Sequence, residues 1–232
     1  MRSFIFDVDG TLTPSRGKID QFFAKWFEGF ASDNPVYYVT GSDRKKTLEQ
    51  IGETVYNLAD KVYQCSGNDI WKKDKHILTN PFPTDPDLIN FLESLLDQSK
   101  YETKTGAHID VRAGLLNFSV VGRNATKRQR SQYFEYDVQA QERQRLADLI
   151  NSKFGKYEVS VAGETGIDIT LRGRGKEQII HDFSPHSKVY FFGDRMEYGG
   201  NDYELAREVA HSGGDVHQVK NWKHTWEILK RL

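Results

Sequence analysis

The chain holds a single cysteine, Cys65, among 232 residues. One thiol excludes an intrachain disulfide framework and a cysteine-rich zinc site. An excess of either charge is missing too: 32 Lys and Arg stand against 33 Asp and Glu, a formal net charge of −1. General nucleic-acid binding driven by bulk charge is therefore disfavoured, which leaves only a local basic patch to consider. No apolar run approaches membrane-spanning length, and the opening MRSFIFDVDG lacks the charged, apolar, small-residue order of a signal peptide. The expectation is a cytoplasmic protein with no membrane partner. Proline is scarce, and three of the six fall within TNPFPTDPD (79–87), which reads as a hinge or linker.

What remains is a composition of 38% hydrophobic and 28% charged residues, that of a globular protein. The length suits one large domain or a core with a smaller insert. FIFDV (4–8), PVYYVTG (35–41) and KVYFFGD (188–194) are apolar runs ending in polar residues. Buried parallel strands whose carboxyl ends face a site have that form. IDQFFAKWFEGF (19–30) places Phe22, Phe23, Trp26, Phe27 and Phe30 at helical spacing, as core positions. SDRKKTLEQIGETV (42–55) predicts a helix capped by Ser42 or Asp43. After the proline-rich stretch, a helix over 88–98, strands in 108–122, a helix within 127–153, and strands YEVSVAG and GIDITLR suggest an α+β insert with an antiparallel sheet. The prediction is an α/β core in two parts, residues 1–80 and 180–232, with a cap domain over 81–179. The site would lie in the crevice at the strand ends.

Two acids at the mouth of a buried strand call for a cation or for chemistry, because neighbouring carboxylates repel and resist desolvation. Asp7 and Asp9 end the first strand, where alternation directs them to one side. Asp194 ends the KVYFFGD strand, with Asn201 and Asp202 close behind it. Converging oxygen ligands suit a hard divalent cation, best magnesium, and magnesium favours phosphate substrates. One aspartate can attack phosphorus to form an acyl phosphate, and its partner can shuttle a proton to or from the leaving oxygen. Lys176, in GRGK, and Thr40, at the end of the second strand, are candidates to stabilise charge on the phosphoryl oxygens. An EF-hand is ruled improbable by Leu12 and Lys18 where that loop needs glycine and glutamate. In the insert, Arg112, Arg123 and Arg130 match phosphate oxygens in bidentate fashion and can hold the distal phosphate of a doubly phosphorylated sugar. Lys127 and Arg128 read as solvated. Tyr133, Phe134 and Tyr136 interleave with these cations, yet fit core and interface positions better than base stacking.

DVDGT, Thr40 within VTGSD, Lys176, and GDRMEYGGND at 193–202 resemble the four ordered motifs of the haloacid dehalogenase-like superfamily. The fold that this implies is a Rossmann-like parallel-sheet core of haloacid dehalogenase type with an inserted α+β cap. LLNFSVVGRNATKRQRSQYFEYD, with DVDGTLTPSRGKI and FFGDRMEYGGND, looks like the eukaryotic-type phosphomannomutase family. That resemblance implies interconversion of mannose 6-phosphate and mannose 1-phosphate, with magnesium and a hexose 1,6-bisphosphate activator. It implies Asp7 as the phosphoryl carrier and Asp9 as the acid/base. Asp7, the Asp9 carbonyl and Asp194 would bind magnesium, with Asp202 close to the ion. Arg16, Arg112, Arg123 and Arg130 match positions that contact the sugar phosphate, Asp168 matches an acid that contacts the sugar, and a homodimer through the caps is implied. The chain departs from the family pattern at Gly166, where a serine is usual, and in ITLRGRGK (169–176), where the pattern is close to VFPxGWDK. A magnesium-dependent sugar-phosphate phosphatase with the same two aspartates is the rival reading. A nucleic-acid-binding protein without turnover is the alternative of a different kind.

Overall fold

A computed structural model describes residues 2–83 and 85–232. The chain forms two compact units, one from residues 1–80 and 174–232 and the other from 81–173. Thr84, inside the proline-rich stretch, lies outside the described residues.

The first unit opens with β1 (Arg2–Phe6), α1 (Gln21–Asp33), β2 (Val36–Val39), α2 (Arg44–Tyr56) and β3 (Lys61–Gln64). A hairpin of β4 (Asp69–Lys72) and β5 (Lys75–Thr79) follows, which hydrophobic patterning did not single out because β5 is exposed along its length. In the second unit come α3 (Pro86–Gln98), β6 (Ile109–Arg112), β7 (Leu115–Phe118), α4 (Lys127–Ala140), α5 (Glu142–Lys153), β8 (Tyr157–Ala162) and β9 (Gly166–Leu171). The chain then returns to the first unit through a short 3-10 segment, Lys176–Asp182, and completes it with β10 (Lys188–Gly193), α6 (Tyr203–His211), β11 (Asp215–Gln218) and α7 (Trp222–Leu229). Residues 174–179, assigned to the cap from sequence, cluster with the first unit. Ile179 packs there against Ile5, Val39 and Leu205.

The seven-stranded sheet runs β11-β10-β1-β2-β3-β4-β5, parallel from β11 to β3 and antiparallel through the hairpin. Both faces of the central strands β10, β1 and β2 are covered, which is why these three read as unbroken apolar runs. Phe4, Phe6, Tyr38 and Phe192 pack on one face with Phe23 and Phe27 of α1, while Ile5, Val39, Val189 and Phe191 pack on the other with Leu205 and Val209 of α6. Phe22 is the exception in the α1 aromatic series: it is 81% exposed. Asp20 caps that helix by accepting from the amides of Phe22 and Phe23, which places Phe22 in the first turn and on the outer face.

The second unit is an antiparallel sheet, β6-β7-β9-β8, with three helices. Leu88, Leu92 and Leu95 of α3, Tyr133 of α4, and Leu146 and Ile150 of α5 pack against Leu116, Phe118, Ile167 and Ile169. The single helix expected within 127–153 is two. Gln141 adopts φ 49°, a left-handed residue that ends α4 and begins α5. Arg143 fixes the break, its backbone N–H and Nε each donating to Asp137 at 2.8 Å. Of the aromatics in this stretch, Tyr133 is fully buried and Phe134 is exposed.

Candidate active site

Three adjacent parallel strands deliver the site. β10, β1 and β2 lie side by side, with Phe6 in register with both Phe192 and Tyr38. Asp194, Asp7 and Thr40 emerge just past their carboxyl ends. The chain departs from β1 to β2 on one side and returns to it through β10 on the other, so a crevice opens where the strand order reverses. Continuing the alternation of β1, Asp7 shares the face of Ile5, beneath which α6 packs, and Val8 turns to the other core. Asp202 is the residue before α6.

At the centre sits a buried cation. Lys176 Nζ donates to Asp7 Oδ1 and to Asp202 Oδ1, each at 2.7 Å, and all three residues are at most 3% exposed. Asp202 precedes α6 without capping it. Its Oδ1 is taken by Lys176, and its Oδ2 accepts the Arg195 N–H at 3.1 Å. Oxygens of Asp7, Asp194 and Asp202 lie within 4.8 Å of one another. Three carboxylates against one lysine leave the cluster short of positive charge. Burial pushes the Asp7 carboxyl well above its usual range, and Asp202 and Asp194 add to the rise that Lys176 opposes. Burial and then Asp202 raise Asp194 to about 7. Burial works against the charge of Lys176, yet the two carboxylates outweigh it and hold its pKa above the ordinary lysine value. The donor set, all carboxylate oxygens and no sulfur or imidazole, fits a hard cation such as magnesium.

Gly10 permits this crowding. It adopts φ +79°, and a Cβ there would lie 2.3 Å from Asp194 Oδ2. Asp9 is outside the acid cluster. Its Oδ1 accepts the Arg16 N–H at 2.6 Å and the Gln50 Nε2–H at 2.9 Å. Arg16 is thus tied to Asp9 by its backbone, in a left-handed conformation at φ 54°, while its side chain is exposed. Thr40 is buried and its Oγ1 accepts the Ser42 N–H at 3.1 Å, so its own proton stays available to donate.

In the second unit, register sets Asp110 of β6, Asn117 of β7 and Asp168 of β9 directly opposite one another across the sheet. Leu116 and Phe118 point into the helical core, so these three lie on the other face. Arg112 and Arg123 both pair with Asp110 Oδ2, at 2.7 and 3.1 Å. Arg123 also donates to Asn117 Oδ1 at 3.3 Å, and Asn117 Nδ2 donates to Asp168 Oδ1 at 2.6 Å. Arg130 pairs instead with Glu164 at 3.1 Å. The structure therefore groups Arg112, Arg123 and Asp168 in one network and gives Arg130 a separate partner. Sequence reading missed Asp110 and Asn117, though both alternate with apolar neighbours in strands it had located. At Gly166 an added Cβ would meet Asn117 Nδ2 at 2.7 Å, so the asparagine amide occupies the room a serine side chain would need.

Among the described residues, no helix is long and apolar enough to cross a membrane. The chain is 30% identical to a phosphomannomutase of Spinacia oleracea over 219 residues, 90% of this chain and 88% of that one. It is 31% identical to one of Galdieria sulphuraria, again over 90% of this chain and 87% of the relative. Among solved structures, a sugar phosphatase of subclass IIB of the HAD (haloacid dehalogenase) superfamily aligns with TM-score 0.61 at 13% identity, covering 100% of this chain and 98% of that one. The IMP-bound IMP-nucleotidase of Plasmodium falciparum aligns with TM-score 0.65 at 16% identity, covering 99% of this chain and 67% of the other. These structures share the fold: a parallel-sheet core of haloacid dehalogenase type carrying an α+β cap. The family model for eukaryotic phosphomannomutase matches residues 24–232, and the chain is an enzyme belonging to that family.

Proposed function

We propose that the protein is a magnesium-dependent phosphohexomutase that interconverts mannose 6-phosphate and mannose 1-phosphate through an aspartyl phosphate on Asp7. The observation that carries this reading is the buried Lys176 shared by Asp7 and Asp202, with Asp194 alongside. One oxygen of Asp7 is held by the lysine, which leaves the other to attack phosphorus. Asp7 and Asp194, with the Asp9 carbonyl and with Asp202 behind them, are the groups that would hold magnesium. When bound, that ion would neutralise charge on the phosphoryl oxygens. As the Asp7 oxygen bonds to phosphorus and the sugar oxygen departs, Asp9 gives that oxygen its proton. Thr40 donates to a phosphoryl oxygen, and Lys176 keeps Asp7 oriented while offsetting the charge that gathers there.

A hexose 1,6-bisphosphate activator fits this scheme because it can phosphorylate Asp7 and be regenerated in each cycle. The arginines of the second unit, Arg112, Arg123 and Arg130, are assigned to the distal phosphate, Asp168 to the sugar, and Arg16 to the sugar phosphate from the first unit. A homodimer through the caps and a cytoplasmic location complete the proposal. A sugar-phosphate phosphatase is the second reading, supported by the departure at Gly166 and Asn117 beside Asp168. In that case water resolves the aspartyl phosphate. Incubation with radiolabelled glucose 1,6-bisphosphate and magnesium, followed by acid quench and peptide mapping, tests the common step. Label is expected on the peptide bearing Asp7 and absent from Asp7→Asn. Substantial label or turnover in that variant would reject the nucleophile assignment.

A further inference from the structure

Gln50 belongs to none of the motifs that mark the site. It lies on the buried face of α2, 3% exposed, beside Thr47 and Ile51. Its Nε2 donates to Asp9 Oδ1 at 2.9 Å and approaches Thr13 Oγ1 at 3.4 Å. Its backbone carbonyl accepts the Ile19 N–H at 2.8 Å, which ties the loop after β1 to α2. The Oε1 atom is buried and has no hydrogen-bond partner among the described residues. A buried, half-satisfied amide is a liability for stability, and an apolar residue of similar size would serve the core better. What the amide gains is a grip on Asp9.

That grip is one-sided. The Gln50 amide and the Arg16 N–H converge on the same oxygen, Oδ1, and no hydrogen bond to Oδ2 is present among the described residues. Two donors on one oxygen fix the plane of the carboxyl group and leave the other oxygen facing away from them. We propose that Gln50 is a positioning residue that immobilises Asp9 through Oδ1, so that Oδ2 is the oxygen that carries the proton in phosphoryl transfer. This rests on the reading of Asp9 as acid/base given above. In one direction a bond forms between Asp7 and phosphorus, the bond from phosphorus to the sugar oxygen breaks, and the proton passes from Oδ2 to that oxygen. In the other, Oδ2 takes the proton from the attacking hydroxyl as its oxygen bonds to phosphorus and the bond to Asp7 breaks.

The test uses two phosphate esters and the full chain with magnesium. A sugar oxygen is a poor leaving group that needs Asp9, whereas p-nitrophenolate departs with little protonation. Gln50→Met should lower kcat on mannose 1-phosphate, with the bisphosphate present, by on the order of tenfold to a hundredfold. The first-turnover burst of p-nitrophenolate from p-nitrophenyl phosphate, which reads phosphorylation of Asp7 alone and not the base-assisted step that follows, should fall far less, by about threefold at most, and KM for mannose 1-phosphate should hold within about twofold. Added to Asp9→Asn, Gln50→Met should change neither rate further. Gln50→Asn, which keeps the amide but cannot reach, should show the same split and stands in if the methionine variant does not fold. Equal losses on the two esters, or no loss on the sugar phosphate, would overturn the proposal. Wild-type protein that turned over neither ester would instead overturn the phosphoryl-transfer reading itself, and this inference with it.

Discussion

Replacing Lys176 with methionine removes the positive charge and keeps most of the volume. In the native chain that charge serves two buried carboxylates at 2.7 Å each. Breaking a buried ion pair from one side leaves the other charge unpaired and typically costs about 3–5 kcal/mol. The two losses do not add, because both run through one cation. Protonation sets a ceiling: a carboxyl that ordinarily titrates at 3.8 can be kept neutral for ~1.4 kcal/mol per pH unit above that value. That ceiling is about 6 kcal/mol at pH 8 and about 2 kcal/mol at pH 5. Asp7 already sits above 3.8 in the native chain because of burial, and losing the lysine that opposes this rise pushes it higher still, so the variant goes on losing stability over a wider span of rising pH than the native chain does. Urea unfolding of metal-free Lys176→Met should therefore show a loss of about 3–5 kcal/mol at pH 8 that shrinks below about 2 at pH 5. A loss under about 1 kcal/mol at pH 8, or equal losses at the two pH values, would refute the view of Lys176 as the counter-charge of a buried acid pair.

Asp194, raised to about 7 by burial and Asp202, keeps its proton in the folded state long after the unfolded chain has lost it near 3.8. Metal-free stability should thus decline between those values, and magnesium affinity should rise across the same window and level off above it. Calorimetry in two buffers of different ionisation enthalpy should detect proton release on magnesium binding at pH 6, and an affinity flat from pH 5 to 8 would contradict this. Gly10→Ala forces a side chain into a left-handed position and against the Asp194 carboxylate. It should cost about 1–3 kcal/mol in thermal unfolding and weaken magnesium binding by on the order of tenfold. Unchanged melting and affinity would show that Gly10 is not under that constraint.

The parallel core was legible because its central strands are covered on both faces and so read as unbroken apolar runs ending in polar residues. Asp7, Thr40, Lys176 and Asp194 could be singled out for that reason and by motif order. Three features escaped. The exposed β5 offers only the adjacent pair Ile77 and Leu78, too short a run to alternate or to mark a buried strand, so the hairpin at the sheet edge was silent. The break at Gln141 rests on a left-handed glutamine held by Arg143 and Asp137, where helix-forming residues run on without a glycine or proline. Gln50 reaches Asp9 from 41 residues away, and nothing local to either marks the pairing. Residue spacing also brought Asp7 and Asp9 together as one pair. In the folded chain Asp7 turns to Lys176 and Asp9 to Gln50, because the Gly10 turn directs the loop after β1 toward α2.

Phosphorus NMR of the purified protein with magnesium, mannose 1-phosphate and a catalytic amount of glucose 1,6-bisphosphate tests the mutase assignment most directly. Mannose 6-phosphate should grow in as mannose 1-phosphate declines, with inorganic phosphate staying minor. Growth of inorganic phosphate alone would contradict the mutase and make the protein a phosphatase. No change in either signal would contradict mannose phosphate as the substrate.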